Sequence, residues 1–201
     1  VTEATLVKEL RDKTGAGFMD CKKALANSDN NIEKAIIFLR EKGLAAASKK
    51  AGREANEGRV LAYIHGEGKI GVLIEVNCET DFVARTDEFQ EFVRNVAMHI
   101  AAANPRYLNK EAVPAKDIES EQSIFRKQAE DSGKKGPVID KIIEGKINKF
   151  FEENCLVNQR YVRDPDQTIE NLVKSQVAKL GENISIKRYE RYQLGESTKA
   201  E

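Results

Sequence analysis

Three features of the 201-residue chain predict an α+β fold. Three short helical patterns fill residues 1–43, two branched apolar runs joined by GEGK lie within 59–78, and strand periodicity returns near the end of the chain. The expected organisation is a three-helix module (1–43), a basic Ala-rich linker (44–58), a core (59–194) and a loose tail (195–201). The core is read as a small antiparallel sheet covered by helices, among them a helical hairpin at about 114–153.

Thr2 caps a first helix whose stripe is Leu6, Val7 and Leu10, and Gly15 ends it in a left-handed backbone. A second follows TGAGF, with Met19, Cys21, Ala24 and Leu25 as apolar positions, before NSDNN supplies turn and capping residues. In a third, Ile32, Ala35, Ile36 and Leu39 recur at helical spacing, and Gly43 is read as its stop. LAAASKKAGREANEG has no sustained apolar face. It is read as a partly helical linker whose Lys49, Lys50 and Arg53 are solvated charges.

RVLAYIH and IGVLIEVNC form a β-hairpin, since the glycines of GEGK permit the positive φ of a tight turn. The run from Ile70 to Ile74 is almost continuously apolar, which predicts an inner strand covered on both faces. Asp87 with Gln90 resembles a capping box, opening a helix through Phe89, Phe92, Val93, Val96, Ala97 and Ile100 to Asn104 and Pro105. Pro114 opens a helix with Ile118, Ile124 and Phe125; residues 133–137 break it from one carrying Ile139, Ile142, Ile143, Ile147 and Phe150. CLVNQRYV is read as a strand, RDPDQ as a turn, TIENLVKSQVAKLG as a helix and NISIKRYERYQL as a closing strand.

Composition narrows the chemistry. Lys plus Arg and Asp plus Glu each number 33, so no net field recruits nucleic acid or a membrane surface, and a partner must be recognised locally. No apolar run approaches the roughly 20 residues of a bilayer span, and VTEATLVKEL is too polar for a signal peptide, so a cytoplasmic protein is expected. Cys21, Cys78 and Cys155 form no CxxC pair and are read as buried thiols. His65 and His99 make no metal-ligand pattern, GEGK lacks phosphate-loop spacing, and Glu79 with Asp81 falls short of a metal loop; no cofactor or metal is expected. Acidic residues interleave the basic segments KKAGR, GKK and KRYERY, so no direct nucleic-acid contact is expected either.

What remains is a protein that presses a surface on a partner. EVNCETDFVAR places Thr80, Asp81, Phe82 and Val83 at a strand-to-helix junction, where turn chemistry would ask for Gly, Asn or Ser. Two readings stand: Phe82 folds back onto Phe89 as a core residue, or it is an apolar wedge beside a carboxylate on a rigid base.

LRDKTGAGFMDCKKAL (10–25) and EVNCETDFVAR (75–85) resemble the two signatures of the bacterial translation elongation factor Ts family. KKAGREANEG, MHIAAANPRYL, IIEGKINKFFEE and GENISIKRY extend the resemblance over nearly the whole chain. It implies a non-enzymatic guanine-nucleotide exchange factor that binds elongation factor Tu and promotes GDP release. It also implies that the first 43 residues form a ubiquitin-associated-like (UBA-like) module on the partner's nucleotide-binding domain, with Arg11, Phe18 and Met19 at contact positions. Thr80, Asp81, Phe82 and Val83 then enter near the partner's magnesium. One core module stands where longer members have two halves, which resembles the short form in which two chains pair, so a homodimer is expected. The competing class is a helical adaptor with a dimerising core.

Overall fold

A computed structural model describes residues 2–196. The loose tail expected at 195–201 lies, beyond Glu196, outside the described residues. The elements are α1 (Glu3–Thr14), α2 (Phe18–Ala26), α3 (Ile32–Ser48), β1 (Glu57–His65), β2 (Ile70–Cys78), α4 (Asp81–Ala84), α5 (Asp87–Ala103), α6 (Ala115–Asp131), α7 (Pro137–Asn154), β3 (Arg160–Tyr161), β4 (Asp164–Thr168), α8 (Ile169–Leu180) and β5 (Ser185–Gln193). The architecture is α+β, with a three-stranded sheet in the order β1-β2-β5 and a separate β3-β4 pair.

By contact density the chain falls into two compact units, each discontinuous in sequence. The first comprises the residues up to Arg59 with Glu75–Val93 and Asn171–Lys187. Here α1, α2 and α3 enclose Val7, Leu10, Cys21, Ala24, Leu25 and Ala35. Gly15, at φ 66°, ends α1 by donating its N–H to the Arg11 carbonyl, and Asn31 caps α3 by accepting the Lys34 N–H. Thr2 holds the cap position of α1, but its hydroxyl pairs with that of Thr5 rather than with a backbone N–H. Gly43 does not stop α3, which runs on to Ser48. A Cβ at residue 43 would stand 3.2 Å from the Ala178 Cβ, so this glycine serves the close approach of α3 to α8.

Among the described residues the second unit holds Val60–Ile74, Arg94–Glu170 and 188–196. The hairpin turns through Gly66 and Glu67, both at positive φ, as the GEGK reading requires. The Leu194 N–H donates to the Lys69 carbonyl, bringing the end of β5 beside the start of β2, so these strands are antiparallel. One sheet face meets α5: Tyr63 lies under the Arg94 guanidinium, the Tyr189 hydroxyl donates to the Pro105 carbonyl, and Arg191 donates to that of Ala101. β2 is central, but both faces are not covered as expected. Val72 and Ile74 are buried while Leu73 between them stands half in solvent, the alternation of a strand packed on one side.

Elsewhere in this unit α6 and α7 form the expected hairpin, closed by Ala129, Ile139, Ile143 and Ile147; Ile124, assigned to the stripe, faces solvent. CLVNQRYV is not one strand. Cys155 and Leu156 are consecutive and both fully buried, which period-two alternation cannot achieve, so Leu156–Asn158 winds into a 3-10 turn and only Arg160–Tyr161 pairs. The turn expected at RDPDQ is made instead by Val162 and Arg163, and Asp164–Thr168 is the partner strand. His99 is enclosed: the Val162 N–H donates to its Nδ1 (3.3 Å), so its Nε2 is the protonated nitrogen that donates to Gln159 Oε1 (2.9 Å).

Candidate functional site

The strand-to-helix junction lies wholly in the first unit. Alternation along β2 turns Val76 and Cys78 into the core. Thr80 follows with extended backbone (φ −129°, ψ 154°), and its hydroxyl accepts the Val83 N–H, so Thr80 is the N-cap of α4. Four residues of helix have no intrinsic stability, so α4 depends on anchors at its ends. At its far end Ala84 is buried, and Thr86 accepts the Phe89 N–H through its hydroxyl. Thr86 rather than Asp87 therefore caps α5, and Gln90 donates to the Arg85 carbonyl instead of completing a capping box.

Between these anchors Phe82 is 80% exposed, whereas Phe89 is fully buried. The reading in which Phe82 folds back as a core residue is thereby overturned: its place in a four-residue helix turns it away from the wall that receives Phe89. Asp81, beside it, has its carboxylate 2.8 Å from the Arg85 guanidinium, an exposed pair one turn apart. Its charge also suits the N-terminal end of α4. Thr80 and Val83 are half-buried. The four residues together display a ring and a carboxylate, with the threonine and valine as their footing.

A segment 102 residues further along holds the near end. One oxygen of Glu182 accepts the Thr80 N–H (3.0 Å) and the other accepts the Thr80 hydroxyl (2.6 Å). The Asn183 N–H donates to Glu79 (2.6 Å), the Asn183 amide donates to the Arg53 carbonyl (2.7 Å), and the Arg53 guanidinium lies 3.5 Å from Glu79. Sequence reading assigned Glu182 and Asn183 no role and took Arg53 for a solvated charge. GENISIKRY reads locally as the entry to a strand, and no periodicity reports a contact across so long a separation.

Cys78 lies under the same junction, donating its thiol hydrogen to the Thr80 carbonyl. Burial, and then the nearby Glu182 carboxylate, push this thiol up to about 11, so it stays protonated at neutral pH and is no nucleophile. Among the described residues no cluster of His, Cys, Asp or Glu is placed to hold a metal ion, and no helix is long and apolar enough to cross a membrane.

The other candidate residues lie on the three-helix module. Arg11 is exposed on the last turns of α1. Phe18 and Met19 open α2 and are 55% and 60% exposed, while Cys21, Ala24 and Leu25 turn inward. Met19 therefore does not belong to the apolar stripe to which its spacing assigned it. It joins Phe18 as adjacent apolar surface.

Comparison with known proteins agrees with the motifs. A family model described as elongation factor TS matches residues 16–196. The chain is 60% identical over 193 residues to the elongation factor Ts of Caldanaerobacter subterraneus subsp. tengcongensis, covering 96% of each chain. It is 59% identical to that of Thermoanaerobacter pseudethanolicus, over 96% of this chain and 95% of the relative. To that of Geobacter sulfurreducens it is 56% identical, over 96% of this chain and 89% of the relative.

Proposed function

This chain belongs to the elongation factor Ts family, and from that premise we propose that it is a guanine-nucleotide exchange factor that binds elongation factor Tu and promotes GDP release during translation elongation. It acts in the cytoplasm, by protein–protein binding and not by bond chemistry. The observation that carries this reading is the outward ring of Phe82 on a capped, doubly anchored helix. A large apolar side chain held in water beside a carboxylate, on a helix anchored at both ends, suits insertion into a partner.

In the proposed mechanism Asp81 and Phe82 enter the nucleotide-binding domain of elongation factor Tu near its bound magnesium, supported by Thr80 and Val83. Magnesium bridges nucleotide phosphates and protein oxygens, so displacing its ligands weakens nucleotide binding. By reciprocity, nucleotide weakens the hold of the exchange factor. Burying a Phe side chain is worth roughly 1.5–3 kcal/mol, about one to two decades in an equilibrium constant, so the wedge contributes without acting alone. Docking of the UBA-like module through Arg11, Phe18 and Met19 supplies further affinity.

The chain is proposed to work as a homodimer. Val60, Ile64, Leu73 and Tyr192 are exposed on β1, β2 and β5, and a Cβ on Gly71 would lie 3.5 Å from Ile64, which puts residue 64 on the face of β2 that Leu73 shares. That face lies opposite α5. An uncovered apolar sheet face suits a second copy of itself.

The test loads elongation factor Tu with fluorescent GDP and follows release against excess unlabelled GDP, with increasing amounts of this protein or of Phe82→Ala. Saturable acceleration that drops in the variant supports function and site together. No acceleration by the intact protein rejects the exchange reading in favour of an adaptor.

A further inference from the structure

We infer that Glu182 is a positioning residue for the Phe82 wedge, holding the near end of α4 in the orientation that the exchange step requires. This rests on the reading above, in which Phe82 enters the partner.

An exposed ring takes its direction from whatever fixes its backbone. Phe82 is 80% exposed, so its direction is set chiefly by the backbone of α4. One turn of helix does not hold itself. The far end is secured by buried Ala84 and by Thr86. At the near end the Thr80 hydroxyl reaches the Val83 N–H at 3.4 Å, a long bond, and the Ala84 N–H meets the Thr80 carbonyl at 3.3 Å. The short contacts there come from Glu182, at 3.0 and 2.6 Å.

Those two bonds match the donor geometry. Thr80 offers an N–H and an O–H side by side, and a carboxylate has two oxygens to receive them, as no neutral side chain does. Directing the hydroxyl hydrogen to Glu182 also leaves a lone pair of Thr80 Oγ for the Val83 N–H, so the carboxylate fixes the cap as well as the residue. Asn183 repeats the tie one residue away, its N–H on Glu79 and its side-chain amide on the Arg53 carbonyl. The turn between α8 and β5 thus grips both Glu79 and Thr80. The arrangement collects the Glu79, Asp81 and Glu182 carboxylates around one junction, with Arg53 on Glu79 and Arg85 on Asp81.

Without Glu182 the cap loosens and the partner must order the wedge as it binds. Freeing about one residue of backbone corresponds to about a tenfold loss. Docking by the three-helix module is untouched, so the loss falls on the maximal rate of GDP release and leaves the half-saturating concentration unchanged.

The experiment measures fluorescent-GDP release from elongation factor Tu with the intact protein, Glu182→Ala, Glu182→Gln, Phe82→Ala and Phe82→Ala/Glu182→Ala, with thermal melts of each and amide hydrogen exchange of the free proteins. Expected is a maximal rate about tenfold lower for Glu182→Ala. Glu182→Gln, which keeps one acceptor and the same shape, should recover part of it. In the Phe82→Ala background, loss of Glu182 should cost nothing more, and exchange should quicken only across residues 80–86. A full further loss in that background overturns the assignment, as does an unchanged rate in Glu182→Ala. If Phe82→Ala itself leaves release unchanged, the wedge reading fails and takes this inference with it, an outcome distinct from the other two.

Discussion

Phe82 and Phe89 stand seven residues apart on opposite sides of the solvent boundary, the first 80% exposed and the second fully buried. The short α4 and its Thr80 cap turn one ring outward, and the Thr86 cap redirects the chain so that α5 carries the other inward. Two substitutions of identical chemistry should therefore separate stability from function. Phe89→Ala should cost about 3–5 kcal/mol of folding stability. Phe82→Ala should change it by less than about 0.5 kcal/mol. Denaturant unfolding of both variants checks this, and a Phe82→Ala protein destabilised as much as Phe89→Ala would show the ring to be a core element after all.

At the foot of the hairpin, β1 and β2 come close together at Gly58. Gly58 has φ 143°, and a Cβ there would fall 2.2 Å from the Val76 carbonyl oxygen. Backbone cannot yield as a flexible side chain can, so Gly58→Ala combines an unfavourable dihedral with a clash. The expected destabilisation is about 3 kcal/mol or more. Gly52, where nothing lies within 4 Å, is the control, and Gly52→Ala should be near neutral in the same unfolding measurement.

Much of this was legible beforehand because it is local. The stripe of α1, the GEGK turn and the Asn104–Pro105 stop each depend on residues within a few positions of one another. So does the oddity of an aromatic ring at TDFV. What escaped depends on contacts distant in sequence. Gly43 reads as a helix stop until Ala178 is seen against it, and Thr80 reads as an ordinary cap until Glu182 is found on it. Leu73 belongs to an apolar run, yet its side chain stands half in solvent. Local pattern singled out the candidate element; long-range packing decides how that element is held.

The buried groups make the pH dependence two-sided. His99 is held neutral, lowered from 6.5 by burial, with Nδ1 committed as an acceptor to Val162. Below about pH 6.5 the unfolded chain takes up a proton that the native state refuses, so stability falls as pH falls through that value. Cys78 acts in the opposite direction. Its folded value is raised from 9.0 to about 11, so its contribution is complete below pH 9 and is lost as pH rises from about 9 to 11, by about 2 kcal/mol. Urea unfolding across pH 5–11 should give this dome. Burial raises Cys155, Tyr107 and Tyr189 as well, so Cys78→Ser, which keeps a donor for the Thr80 carbonyl but does not titrate there, should make the alkaline limb shallower without removing it.

The proposed dimer gives the last prediction. Ile64 and Leu73 share the outward face of the sheet and are both half or more exposed, so a charge placed there costs little in a lone chain. In a dimer joined by that face, the same charge would be buried without a partner, at several kcal/mol. Leu73→Glu should therefore leave the fold intact by circular dichroism while shifting the mass measured by light scattering at micromolar concentration from two chains to one. Lys135→Glu, on the α6–α7 turn, should leave the mass at two. The monomeric variant also asks whether pairing is needed for exchange. Retained GDP release in a monomer would make the dimer a device for stability, and lost release would make it part of the active form.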